Sequence, residues 1–189
     1  MSKYLVLMGA PGAGKGTQAK KLAREFGLPQ VATGDLFRYN LKHKTDLGKL
    51  AQTYIDKGEL VPDDVTVAMV RSRLSQKDCS DGAILDGFPR NLAQAYALED
   101  LLVEFDGEIC LVPYIEVRQD ELVKRLLKRA ETESRTDDNE KTIRARMVVF
   151  EQQTQLLLDY YEEKDLLVIV NGEQSIDDVF QDLLKVIDW

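Results

Sequence analysis

The stretch Gly9-Ala10-Pro11-Gly12-Ala13-Gly14-Lys15-Gly16-Thr17 stands between an apolar run, Tyr4–Met8, and a segment of helical periodicity, Lys15–Phe26. Strand, glycine-rich turn and helix in that order predict a phosphate-binding loop. The glycines let successive backbone N–H groups face inward, the helix adds its positive N-terminal dipole, and Lys15 reaches the terminal phosphates of a nucleoside triphosphate. The usual hydroxyl directly after the lysine is replaced by Gly16 and comes one place later, at Thr17. Magnesium is therefore expected to be held less directly than in most such loops.

Outward from this loop, short apolar runs alternate with helical patterns. Tyr4–Met8, Gln30–Ala32, Gly82–Leu85, Ile109–Val117 and Leu166–Val170 read as strands. Lys15–Phe26, Asp35–Lys44, Leu47–Lys57, Pro62–Ser75, Leu92–Glu104, Asp120–Arg129, Glu140–Glu163 and Ser175–Ile187 read as helices. Pro62 with Asp63 and Asp64 suits a first helical turn, and Asp120 and Ser175 suit N-caps. The alternation implies an α/β fold with a parallel sheet. Thr33–Val61 and Ala130–Asp138 carry few core-type residues and read as excursions from the main body, candidate lids.

Composition bounds what such a domain can bind. A chain of 189 residues with 44% hydrophobic content fits one domain with insertions and can fill a core. A net charge of −8 speaks against a nucleic acid or an anionic membrane as partner, so any bound anion needs a local basic pocket. No apolar stretch approaches the ~20 residues of a membrane span, and the chain enters its first strand with no signal-peptide layout, so a cytoplasmic protein is expected. Cys79 and Cys110 lie far apart, without a CxxC spacing or a nearby histidine, and read as small apolar residues.

Asp86-Gly87-Phe88-Pro89-Arg90 follows the strand Gly82–Leu85 and so lies at its carboxyl end, where open α/β sheets bind ligands. There Asp86 could hold magnesium through water and Arg90 grip a phosphate; standing alone, the same residues are equally an ordinary turn. Arg38, Arg90, Arg125, Arg129, Arg135, Arg144 and Arg146 supply guanidinium groups from separate segments. Arg125 and Arg129 share a helix face; Arg144 and Arg146 cannot, and Arg144 is the weaker candidate. Phosphoryl transfer between two anions needs in-line positioning and charge offset rather than a base when the acceptor is already a phosphate. His43, in a polar helical stretch, reads as an exposed residue.

Taken together, Gly9–Thr17 with Gln18, Thr33-Gly-Asp-Leu-Phe-Arg38, Gly58-Glu-Leu-Val61, Asp86–Arg90 with Gln94, Arg125-Leu-Leu-Lys-Arg129 and Arg135-Thr-Asp-Asp138 resemble the adenylate kinase family in order and spacing, over essentially the whole chain. The resemblance implies a P-loop fold with a five-stranded parallel sheet flanked by helices. It implies one domain over residues 1–189, with a core of 1–32, 62–128 and 139–189, a nucleoside-monophosphate-binding insertion at 33–61 and a lid at 129–138. The activity implied is reversible transfer from magnesium-ATP to AMP, giving two ADP, without a covalent intermediate.

Carried over by motif, the resemblance makes Gly12, Ala13, Gly14, Lys15, Gly16 and Thr17 the ATP phosphate cradle. Arg125 would stack on the ATP base, and Gly172 and Gln174 would lie against its edge. Thr33, Gly34, Arg38, Glu59, Leu60, Val61, Gly87, Phe88, Arg90 and Gln94 would line the AMP site, Gln94 reading the adenine edge. Arg129, Arg135 and Arg146 would grip phosphates, Arg135 and Arg146 reaching those of AMP as well. Asp137 and Asp138 would hold the lid arginines. The catalytic set implied is Lys15, Arg38, Asp86, Arg90, Arg129, Arg135, Asp138 and Arg146, with no protein metal ligands.

Only Ala130–Ser134 separate Arg129 from Arg135, so the lid resembles the short form, without a zinc-binding hairpin, and no structural zinc is expected. Glycines usually flank this turn in short-lid relatives; here Ala130 and Ser134, which tolerate positive φ poorly, stand instead. Two other readings share the loop. A kinase for UMP or CMP would use the same arginines, with Thr33 and Gln94 favouring AMP. A nucleotide switch would need Asn-Lys-x-Asp and Asp-x-x-Gly strings, which do not occur. A monomer is expected.

Overall fold

Along the first strand, Tyr4, Val6 and Met8 enter one apolar cluster and Leu5 and Leu7 another. A strand buried on both faces needs a layer of helices on each side, the arrangement of a doubly wound parallel sheet. The computed structural model, which describes residues 1–133 and 139–187, has this form. In chain order it runs β1 (Ser2–Leu7), α1 (Lys15–Phe26), β2 (Gln30–Ala32), α2 (Thr33–Lys42), α3 (Asp46–Ile55), α4 (Asp63–Leu74), β3 (Gly82–Asp86), α5 (Leu92–Glu104), β4 (Gly107–Glu116), α6 (Gln119–Glu133), α7 (Glu140–Val149), a π-helical turn (Phe150–Thr154), α8 (Leu156–Glu162), β5 (Leu167–Asn171) and α9 (Ile176–Val186). The five strands are all parallel, in the order β2-β3-β1-β4-β5.

The two layers meet the sheet through different helices. Leu5, Leu7 and Ile84 pack with Leu22, Leu126, Ile143 and Leu183, drawn from α1, α6, α7 and α9. Tyr4, Val6 and Leu85 pack with Val70, Leu98, Leu101, Leu157 and Tyr161, drawn from α4, α5 and α8. Phe37, Ala51 and Val61 form a separate small cluster within 33–61, so that segment carries its own centre.

Several helix ends differ from the sequence expectation. Helix α2 starts at Thr33 behind Ala32, which offers no side-chain cap, so nothing in the sequence marks that boundary. Asp120 lies inside the first turn of α6, because the Arg118 carbonyl already accepts from Glu121 and Leu122 N–H. Ser175 does cap its helix, accepting from Asp178 N–H at 3.2 Å. Helix α6 continues through Ala130 to Glu133, so Ala130 is helical rather than part of a turn. The expected long helix 140–163 is broken at Phe150–Thr154, where Gln155 N–H bonds to Phe150 O, five residues back.

Strand register decides where the site lies. Leu7 and Ala32 both pair with Asp86, Glu116 pairs with Asn171, and Met8 bridges to Tyr114. The loops after all five strands therefore open on one edge, at the carboxyl ends, with β1 in the middle.

Candidate functional site

Gly14 caps α1 from the left-handed region, at φ 95°, and Gly12 has φ 89° with room for a Cβ only 3.0 Å from Leu122 O and Leu126 Cγ. Both conformations suit glycine, which has no Cβ to crowd the loop. Lys15 folds back over the loop and donates to Gly9 O at 2.7 Å and Ala10 O at 3.0 Å. Burial lowers its ammonium pKa from 10.5 to about 8; Asp86 opposes that, and Arg90, Arg129 and Arg146 add to it. Asp86 lies beside the loop, its Oδ2 accepting from Gln30 Nε2 at 3.1 Å and lying 3.4 Å from where a Cβ on Gly16 would stand.

The loop forms one wall of a cavity of about 640 Å³. Among the described residues, Lys15, Lys20, Arg38, Arg90, Arg125, Lys128, Arg129 and Arg146 line it, with Asp35 and Asp86 as the acids. On a chain of net charge −8 this is a local concentration of cations, the pocket an anionic ligand needs. A second cavity of about 470 Å³ adjoins it, bounded by Thr33, Phe37, Glu59, Val61, Thr66 and Gln94. Gly34, Arg38, Gly58, Leu60, Gly87, Arg90 and Arg146 line both, so arginines occupy the junction.

Arg90 is held at three points. Its N–H donates to Gln94 Oε1 at 2.8 Å, its Nε to Gly87 O at 2.8 Å, and its carbonyl accepts from Thr154 Oγ1 at 2.8 Å. Among the described residues those bonds leave the two Nη groups for a ligand, the fork that suits phosphate oxygens. Burial lowers its pKa, Arg146 and Arg38 add to this, and Asp86 counters it. Arg38 is paired with Asp35, which an incoming anion would have to displace.

In the second cavity Thr33 and Gln94 are each 2% exposed. Thr33 Oγ1 donates to Gly87 O at 2.8 Å, so its lone pairs remain for a ligand. At the far end of the first cavity, Arg125 donates from Nε to Glu121 and from Nη2 to Gly172 O, both at 3.0 Å. That fixes the guanidinium plane from two elements.

Not every sequence-predicted residue reaches a cavity. Ala13 and Phe88, at 3% and 1% exposure, pack into the core. Gly172 contributes its carbonyl to Arg125, and Gln174 bonds to Asn171 O and Asp182. Arg135, Asp137 and Asp138 lie outside the described residues. Arg144 is exposed and paired with Glu140, whereas Arg146 lines both cavities. His43 is exposed and stacks on Tyr39 at 4.0 Å.

Four supporting residues went unread in the sequence. Gln30 holds Asp86, Asp35 holds Arg38, Asp63 holds Gln94, and Thr154 holds Arg90. Each acts through a partner distant in sequence or through a helical turn with no outward mark; the Arg38–Asp35 spacing of three was the one signal available.

The Adenylate kinase family model matches residues 7–166. The adenylate kinase of Thermobifida fusca is 48% identical over 177 residues, 94% of each chain, and that of Bifidobacterium longum 48% identical over 175 residues, 93% of this chain and 94% of the relative. The adenylate kinase of Bacillus subtilis is 46% identical, covering 95% of each chain. Its alignment runs over 206 places against 189 residues here, so that relative carries residues this chain lacks. With matches of this extent on the fold and cavities just described, the chain belongs to the adenylate kinase family.

Proposed function

We propose that the chain is an ATP:AMP phosphotransferase that interconverts ATP plus AMP with two ADP. The observation that carries the reading is the pair of adjoining cavities with Arg38, Arg90 and Arg146 at their junction. Two nucleotides placed end to end would bring their phosphates together at those cations. The relatives' names favour AMP over UMP or CMP as acceptor and an enzyme over a switch.

In the reaction, an oxygen of the AMP phosphate attacks the γ-phosphorus of ATP while the bond from that phosphorus to the β–γ bridging oxygen breaks. The acceptor oxygen is already ionised, so no base takes a proton and no covalent enzyme intermediate forms. The loop N–H groups of Gly12–Thr17 and Lys15 hold the donor phosphates. Arg38 and Arg90 hold the acceptor phosphate, and Arg129 and Arg146 offset charge on the transferred group. Preorganised cations in a site shielded from water are worth far more than the same cations in solvent.

Asp86 and the Thr17 hydroxyl are the groups that would hold magnesium, through water. The fit rests on a carboxylate fixed by Gln30 beside the phosphate loop. When bound, the ion neutralises phosphate charge as a Lewis acid.

We assign 33–61, with its own cluster of Phe37, Ala51 and Val61, to the AMP-binding insertion. Residues 129–138 are assigned to a lid that expels water, a competing acceptor; of these, 134–138 lie outside the described residues. A cytoplasmic monomer is part of the proposal. Free thiols at Cys79 and Cys110 suit a reducing compartment, and exposed apolar side chains such as Tyr39, Val103 and Ile169 stand on different elements.

The test is ADP formation from magnesium-ATP with AMP, CMP, UMP, GMP or water offered separately. Rapid ADP with AMP is expected. Preference for CMP or UMP would overturn the acceptor, and ADP with water alone would overturn transfer.

A further inference from the structure

An amide that reads a base is informative only if its oxygen and nitrogen cannot change places. The Gln94 side chain is buried at the wall of the second cavity, and its two ends are engaged differently. Its Oε1 accepts from the Arg90 N–H at 2.8 Å, and its Nε2 donates to Asp63 Oδ1 at 2.7 Å. A backbone N–H can only donate and a carboxylate can only accept, so a flipped amide would set two donors against each other at one end and two acceptors at the other. Asp63 is itself fixed. Asn91 Nδ2 donates to both its oxygens, at 3.0 and 3.2 Å, while Asn91 Oδ1 caps α5 by accepting from Gln94 N–H at 2.8 Å.

We propose that Asp63 is a specificity-determining positioning residue, whose carboxylate locks the Gln94 amide in the one orientation that accepts a 6-amino purine monophosphate and rejects a 6-oxo one. This rests on the reading of Gln94 as the base contact. With its partners satisfied, Gln94 has one Oε1 lone pair and one Nε2 hydrogen left. Those complement an exocyclic amine beside a ring nitrogen that accepts, the edge of adenine. Hypoxanthine presents the reverse, a carbonyl beside a ring N–H, and could pair only if the amide flipped. Thr33 has the same bias, since its hydrogen is committed to Gly87 O and only lone pairs face the cavity. A site built to hydrogen-bond one pattern rejects its reverse because buried groups are left unpaired.

The experiment compares kcat/KM for AMP and for IMP, which differ only at the 6-position edge, in the wild type, Asp63→Asn, Asp63→Ser and Gln94→Leu. Serine removes the carboxylate yet keeps a residue suited to a helix start, and provides a second variant if the first folds poorly. The AMP:IMP ratio is the readout, because general damage to the pocket lowers both substrates alike. The ratio is expected to collapse in Gln94→Leu and to fall about tenfold in the Asp63 variants, the size of one lost charge-assisted hydrogen bond. A ratio within twofold of wild type in the Asp63 variants, with collapse in Gln94→Leu, would overturn the locking role and leave Gln94 as the base contact. An unchanged ratio in Gln94→Leu would overturn the base contact and the lock together.

Discussion

The junction of the two cavities and the base end of the second cavity are built on opposite principles. Where phosphates would sit, Lys15, Arg38, Arg90, Arg129 and Arg146 converge, and burial and mutual repulsion push the Lys15 and Arg90 pKa values down. Where the base would sit, Thr33, Gln94, Asp63 and Asn91 are tied donor to acceptor. The first end stores unfavourable electrostatics that a polyanion would relieve; the second has little left to relieve and discriminates by being fixed. On the proposed reading, affinity and selectivity fall to different chemistry at these two places.

At the phosphate end, Lys15→Met should be the most damaging substitution. Turnover is expected to fall on the order of 10²–10³-fold, the size of removing one preorganised charge contact. Stability without nucleotide should hold or rise, since a desolvated cation among arginines is removed. The pH dependence has a defined sign. Between about 8, the folded value, and 10.5, the ordinary one, the unfolded chain carries the extra proton, so wild-type stability should rise with pH across that window through this group. Urea titrations at pH 7.5 and 10 should show that rise reduced in the variant; an equal rise in both would mean Lys15 is not strained.

Arg90→Ala comes next, with kcat expected to drop about 10²-fold while Tm changes little, because the phosphate end contributes to function more than to folding. Near-normal turnover would remove Arg90 from the groups that hold the acceptor phosphate.

Thr154, which supports that arginine from behind, should matter less. Thr154→Val leaves the Arg90 carbonyl without its partner and should cost about 1 kcal/mol of stability, read by urea denaturation. It should also lower kcat severalfold, with Thr154→Ser restoring both; failure of the serine to rescue would separate the bond from the effect.

Much of this was legible in the sequence, for identifiable reasons. The five strands could be read because a two-faced sheet demands short apolar runs, and α1 and α5 because their apolar spacing ends cleanly at Gly27 and Phe105. The loop at Gly9–Thr17 and the turn at Asp86–Arg90 were visible because each is contiguous. What escaped were partners fixed by tertiary approach. Asp63 looked like a first-turn acid favoured by the helix dipole, and only the packing of α4 beside α5 turns it toward Gln94. The π turn escaped because one added residue leaves the surrounding apolar spacing nearly intact over a short window.

That turn joins two helices that serve different layers. Before it, Ile143 and Met147 pack on one side of the sheet; after it, Leu157 and Tyr161 pack on the other. Each residue of an α-helix advances the side chains by about 100°. The added residue therefore sets the phase between Arg146 and the aromatic anchor at Tyr161, like an offset between two gears on one shaft. Deleting a single residue from 150–154 would restore a plain helix and turn Arg146 away from both cavities unless the second half gave up its seat. Length at this place is a coordinate of the chemistry, even though none of its residues need touch the transferred group.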